Sequence, residues 1–578
     1  MDLNKRQRFF QERFLEILHH DTLDSYRVRI HNPHTILTEL KDVVSDWIKG
    51  NVKQFETVKL CAEETLQKVK EDTIFIEKIP LKGYLCSILA QLQSGGEKNG
   101  IVFQRTIELL EEIKVQIENE SLFNKIYSRL KALTLVEEDE KESLSNLDES
   151  LKQIDILLST LCTELIYIGF SRHYLYHFVK RTFKNAKSFE EGINIFEDAL
   201  NPDNIKEFKI IFRLKILKGK KKGLEDLDLQ DLLREFPQQY LTDWFEERRP
   251  NFIENHNDQR YYVAQVSAFD EISAVKLGKE KLSRYLDSVH FALNYYKLIP
   301  DNQTLVLEKR DSGYYSSATQ SLPFIEGLYY EDESDVEDMK IRIYKIQNSS
   351  KTSRDVINRL TAALRHLRIG DTDPELEQRF INYWIALEFL FSSPDKNENT
   401  FGRIKENLIN VLVSCYGYRN LCDLEREIKL LLPSDGLEEI WNPANRTYLK
   451  DSIENSVLLS YRLRMFEKHI LSGNKNEINK YLKSHEKNLL WQIARIYRLR
   501  NELIHEAAIK QNIESLTSNL RYYLNFILRK IIYFFSSDEN INSEIPKEME
   551  SFFLRYDFQH NVVITEANIE MVVKYGKS

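Results

Sequence analysis

A chain of 578 residues, 30% of them charged, with only 18 Gly, 12 Pro and a net charge of −9, has length for several buried cores and favours long helices over an all-β architecture. The acidic balance excludes a basic nucleic-acid coat, so any nucleic-acid site has to be a local cationic patch. The cysteines, Cys61, Cys86, Cys162, Cys415 and Cys422, are scattered and form no C-x-x-C pair; this argues against a disulfide framework or a zinc site and fits a reducing cytoplasm.

Residues 1–140 read as a string of helices, with apolar positions at three-to-four spacing in Phe10, Phe14, Ile17 and Leu18 and again in Ile107, Leu110, Ile113 and Ile117. The first residues lack the apolar segment of a signal peptide. Ser94 to Gly100 reads as a loop, and the acidic run Glu137 to Glu142 as an exposed boundary.

Residues 141–350 read as an α+β region. A helix over Leu151 to Ile168 ends at Gly169, and another begins near Ser171. The second helix carries His173 and His177, four apart. That spacing suits a metal, but a polar-aromatic packing face explains it more simply, because no third ligand lies nearby in sequence. Strands are expected at Phe208 to Ile216, Tyr261 to Ala268, Thr304 to Glu308 and Lys340 to Tyr344. A helix is expected from Glu271 to Tyr296. Lys218 to Gly223 reads as a basic loop and Glu331 to Asp338 as an acidic one.

Residues 351–540 are purely helical in pattern: Val356 to Leu367, Glu375 to Phe391, Gly402 to Tyr416, Ser460 to Leu471, Ile478 to Ser484, Lys487 to Lys510 and Ser515 to Phe535. The run Tyr522 to Phe535 is broken by Asn525, Arg529 and Lys530, so it reads as an amphipathic core helix and not a membrane span. Residues 541–578 read as a tail with a strand signal at Asn561 to Thr565. The fold class expected is mainly α and multi-domain. There is no G-x-x-x-x-G-K-[ST], H-E-x-x-H or G-x-S-x-G, which argues against a phosphate-loop motor, the common zinc protease and the hydrolase elbow.

One stretch carries chemistry: Arg495 to His505, which contains Arg500-Asn501-Glu502-Leu503-Ile504-His505. At about 100° per residue, Arg498, Asn501 and His505 share one helical face, Arg500 lies about 140° from His505, and Leu489, Ile496, Leu499 and Leu503 form a separate apolar stripe. Such a set suits metal-free RNA cleavage, in which the RNA's own 2′-OH attacks the adjacent phosphate. A His moves protons near neutral pH, an Arg takes up the growing charge on the phosphate oxygens, and an Asn orients either. One His is a weak substitute for separate acid and base groups; a symmetric dimer brings a second. As a bare pattern, R-N-x-x-x-H also occurs by chance in helices, with Arg500 merely decorating the surface. Arg495, Arg498, Arg500, Lys483, His485 and Lys487 together read as a local basic cluster.

The stretch resembles the R-x(4–6)-H motif of the HEPN superfamily, specifically the Apea-like HEPN domains of bacterial defence proteins. The resemblance extends over residues 355–540. It includes Ala363 to Gly370 and the W-x-A-L-E helix, Phe380 to Glu388, upstream, and the helix carrying Leu520, Tyr523, Leu524, Ile527 and Ile531 downstream. It implies a metal-independent, cofactor-free endoribonuclease with Arg500, Asn501 and His505 at its centre, working as a homodimer through the HEPN domain in anti-phage or abortive-infection defence. The RNA, whether tRNA, mRNA or rRNA, is left open. The polar residue after it favours Arg500, helical geometry favours Arg498, and Arg495 and Glu388 are supporting candidates. Glu388 either orients the Arg or His or simply pairs with a bundle Arg. The N-terminal region then senses a phage-derived trigger or holds an inhibitory partner. A non-catalytic scaffold binding nucleic acid or protein is the alternative.

Overall fold

In a computed structural model the chain is mainly α, with one small antiparallel sheet. The structure describes residues 3–19, 31–72, 74, 80–95, 100–119, 122–136, 143–218, 259–292, 297–310, 313–320, 333–392, 400–431, 453, 456–505, 513–541 and 545–577. The acidic run 137–142 and the loop residues 219–223 lie outside them, as does most of the 94–100 loop. The division differs from the four consecutive segments expected: residues 1–163 and 324–578 form one compact unit, and 164–323 a second. No helix among the described residues is long and apolar enough to cross a membrane.

The larger unit begins with α1 (Lys5–Leu18), α2 (Pro33–Lys49), α3 (Phe55–Glu71), α4 (Lys82–Gln93), α5 (Gly100–Asn119) and α6 (Leu122–Thr134), followed by most of α7 (Leu144–Ile168). Local chemistry sets their ends. Asn4 and Asn32 each close a capping box at a helix start, with Gln7 and Thr35, and Pro33 sits where a first-turn N–H would be unsatisfied anyway. Gly50, at φ 79°, ends α2. The expected apolar positions are the core: Phe10, Phe14, Ile17 and Leu18 are wholly buried.

The smaller unit holds α8 (Arg172–Asn185), α9 (Phe189–Ala199), β1 (Lys206–Lys218), β2 (Gln259–Ala268), α10 (Glu271–Ala292), β3 (Lys297–Arg310) and β4 (Gly313–Gln320). The strand order is β2-β1-β3-β4, antiparallel throughout, with Ile210 opposite Ala264 and Val306. Phe208, Ile210, Phe212 and Leu214 alternate onto the face against α10. Gly278 lets that helix approach: a Cβ there would meet Ile210 Cβ at 3.1 Å. β4 was not expected; its Ser-Ser-Ala-Thr stretch has little apolar alternation, and pairing with β3 makes it a strand. His173 lies against Arg172 (2.8 Å) and His177 against the Tyr176 ring, and no group of three or more metal-ligating side chains occurs among the described residues.

The rest of the larger unit is α11 (Glu333–Asn348), α12 (Arg354–Thr372), α13 (Leu376–Phe391), α14 (Thr400–Leu431), α15 (Val457–Phe466) with a π turn at Glu467–Leu471, α16 (Lys475–His505), α17 (Ile513–Ser536), α18 (Asp538–Ile541), α19 (Met549–Glu566) and α20 (Ile569–Lys577). Several expectations are corrected here. Lys340 to Tyr344 is helical, as is the acidic stretch from Glu333 onward, because Met339, Ile343 and Ile346 pack on the core at helical spacing. Asn561 to Thr565 belongs to α19, where Phe552, Tyr556, Gln559 and Val563 are buried at the same spacing, and the expected tail is part of the core. α14 runs on through Gly417, which serves a close approach and no cap: a Cβ there would meet Val572 Cγ1 at 2.6 Å. The two helices expected between Ile478 and Lys510 are one through His505, since no Gly or Pro interrupts them and Leu482 and Leu489 bury on one face.

Candidate active site on helix α16

Helix α16 has 31 residues and carries the whole motif. Its apolar stripe is as read from the sequence: Leu489, Ile496 and Leu499 are buried and Leu503 packs beside them. The polar side divides into two environments.

The first is closed. Arg495 is 6% exposed; its Nε donates to both Glu39 oxygens at 2.9 Å and its Nη2 to Glu64 at 2.6 Å. Arg498 donates to Glu39 as well and stands 3.6 Å from Glu502. His31 also contacts Glu39. Glu39 comes from α2 and Glu64 from α3, so the N-terminal helices cover this flank. Burial alone would push the Glu39 carboxyl up, but Arg495 and Arg498, with His31, outweigh it and hold it well below the usual carboxylate range. Burial likewise opposes charge on Arg495, and Glu39 and Glu64 raise its guanidinium above its ordinary value.

The second environment is more open. Arg500 Nη1 donates to Asn501 Oδ1 at 3.1 Å and Nη2 to Glu388 at 3.3 Å, with the Arg500 and Glu388 side chains 26% and 33% exposed. The same Glu388 oxygen accepts from Trp384 Nε1 at 2.6 Å. Trp384 is 2% exposed and lies against Tyr497, which stacks on Phe401 at 3.8 Å. Thus the W-x-A-L-E helix, α13, presents one carboxylate on a rigid aromatic base and aims it at Arg500. Arg500 Nε is buried without a hydrogen-bond partner among the described residues, so the 26% of the side chain that is exposed lies elsewhere on it. Position 505 lies one turn past Asn501, in the last described turn of α16.

Of the residues singled out from sequence, then, Arg500, Asn501 and Glu388 come together, whereas Arg495 and Arg498 are drawn onto carboxylates. The expected basic cluster is not an open face. Lys487 pairs with Glu63 at 3.0 Å, and His485 lies flat on Tyr416 with ring centroids 3.4 Å apart. Sequence reasoning missed Glu39 and Glu64. The available signal was position: Glu64 is in register with Leu60 and Cys61 on the buried stripe of α3, where a carboxylate needs a partner.

His485 supports a pH prediction. Burial, and then the Arg419 charge, hold its imidazole well below the ordinary 6.5. The unfolded chain therefore takes up a proton that the fold refuses, so this contribution is fully present above pH 6.5 and declines as pH falls. Between about pH 6.5 and 5.5 the wild type should lose up to about 1.4 kcal/mol per unit more than His485→Gln, a ceiling lowered by the residue's partial exposure. Urea unfolding of both proteins across that range checks it; parallel curves would refute it.

No family model, curated protein or solved structure matches the chain.

Proposed function

We propose that the chain is a metal-independent endoribonuclease of the HEPN type, acting in the cytoplasm as a defence effector, with Arg500, Asn501 and His505 as its working set. The reading is carried by one observation. Arg500 is fixed from behind by Glu388 and Asn501, yet its side chain stays 26% exposed. A guanidinium held in this way is pre-aimed at a phosphate oxygen. Arg498, the other candidate, is already committed to Glu39 and Glu502, so the phosphate ligand in this proposal is Arg500.

The 2′-OH of the RNA attacks the neighbouring phosphorus and the P–O5′ bond breaks. One His505 accepts the 2′-OH proton, and the His505 of a second copy delivers one to the leaving 5′ oxygen. Arg500 bears the charge that builds on the non-bridging oxygens. The products are a 2′,3′-cyclic phosphate and a 5′-OH. In this proposal the helices before residue 163, which cover the other flank of α16, regulate this set.

Purified protein incubated with total RNA and with tRNA in the presence of EDTA should cleave, leaving cyclic-phosphate ends, and His505→Ala should not. Wild-type protein that binds RNA but never cleaves it would identify a scaffold.

A further inference from the structure

A cavity of about 600 Å³ lies within the larger unit, walled by residues of α1, α3, α7, α14, α15, α16 and α17. Its size falls in the range of small-molecule sites. Arg500, Asn501 and Glu388 are not among its walls, so it is separate from the candidate active site.

The lining is chemically selective. Part of its wall is a set of flat rings: His485 lies parallel to Tyr416, at 4° and 3.4 Å between centroids, and Tyr481 stacks with Tyr416 at 5.2 Å. The Arg419 guanidinium lies over Tyr416 and Tyr522, 5.9 and 5.5 Å from their centroids, so its charge is presented from an aromatic bed. Five Arg or Lys side chains line the cavity against three carboxylates. Arg13, Arg462 and Arg495 already lie against carboxylates, while Lys68 adds a further positive charge to the wall.

Two buried polar atoms complete the description. Trp491 is 3% exposed and lines the cavity, yet its Nε1–H has no hydrogen-bond acceptor among the described residues. His485 Nε2 is enclosed and likewise unpartnered. An indole N–H can only donate, and buried polar atoms are normally satisfied. Something that brings an acceptor oxygen to the Trp491 N–H belongs in the cavity. Planar ring walls, a fixed guanidinium and an unspent indole N–H donor are together what a flat heteroaromatic group bearing an anionic oxygen cluster requires.

We infer that this cavity binds a nucleoside phosphate, its base at the aromatic wall beside Tyr522 and its phosphate and ribose oxygens on Arg419, Lys68 and the Trp491 N–H. The inference does not rest on the cleavage reading; it stands or falls on binding. Because the cavity is walled by α3 and by α16 together, an occupant stabilises the docking of the N-terminal helices on the motif helix, and binding raises the melting temperature.

The test is calorimetry and thermal unfolding of the full chain with AMP, GMP, CMP and UMP, and with adenosine and inorganic phosphate as partial ligands. At least one mononucleotide should bind with a stoichiometry of one per chain and raise Tm, with adenosine and phosphate each weaker by about tenfold or more. Trp491→Phe should weaken binding by about tenfold. Asn488→Trp, at an exposed position on the cavity wall, should abolish binding while leaving the unliganded Tm near wild type; it keeps the test valid should Trp491→Phe fail to fold. No binding by any of the four mononucleotides at millimolar concentration overturns the inference. Binding that Asn488→Trp leaves intact overturns it too, as does inorganic phosphate binding as tightly as a mononucleotide.

Discussion

Replacing Arg500 or His505 by alanine should reduce RNA cleavage far more than any other change on helix α16. Loss of a proton-transfer group costs about 10²–10⁴-fold and loss of one electrostatic contact to the transition state about 10²–10³-fold, so His505→Ala and Arg500→Ala should both fall in that span, with substrate binding affected less than the rate. Glu388→Gln, which keeps the shape and an acceptor for Trp384 Nε1 but removes the charge behind Arg500, should give an intermediate loss. Arg498→Lys is the informative control: it keeps a charge beside Glu39 and should retain cleavage once any loss of stability is allowed for. Single-turnover rates on one defined RNA separate these outcomes. An Arg498 variant that folds like wild type but is as inactive as Arg500→Ala would move the phosphate ligand to Arg498.

The second large effect is on stability. Glu39→Ala should destabilise the larger unit by about 3–5 kcal/mol, because removing one partner of a buried ion set leaves charge behind without compensation. Here two guanidinia are left: Arg495 with Glu64 alone and Arg498 with Glu502 at 3.6 Å. Substituting Glu39→Leu together with Arg498→Met should recover part of the loss, since a matched apolar replacement removes the stranded charge. Chemical unfolding, with hydrogen exchange of α2 and α3 as the local readout, checks both. A Glu39→Ala protein within about 0.5 kcal/mol of wild type would mean that this network is no more than a surface pair. The sign with pH follows from the lowered Glu39 value: the contribution is fully present above the ordinary carboxylate range and is lost progressively as pH falls from there to the depressed value.

What could be read from sequence was what depends on near neighbours. The three-to-four spacing of Phe10, Phe14, Ile17 and Leu18 and the alternation in β1 each specify a face, and both faces are buried as read. The apolar stripe of α16 followed from the same arithmetic. Misreadings arose where one stretch satisfies two periods. Lys340-Ile-Arg-Ile-Tyr344 alternates like a strand, but Met339, Ile343 and Ile346 also repeat like a helix, and the core they meet decided between them. The fate of Arg498 was beyond any local rule. Its partner Glu39 is 459 residues away along the chain, and nothing in the motif says that α2 will fold back to cover that side. Glu388, 112 residues from Arg500, could be a candidate only through a family resemblance that put both helices in one bundle, and which residue it meets was not legible.

The continuity of α16 has a mechanical consequence. Thirty-one residues without a break make a rod roughly 46 Å long. Along it lie, in order, the ring stack at Tyr481 and His485, the doubly anchored Arg495, and Arg500. A helix with no Gly or Pro within it has no built-in joint. The ring stack, the anchored Arg495 and Arg500 are thereby three stations held in fixed register on one element.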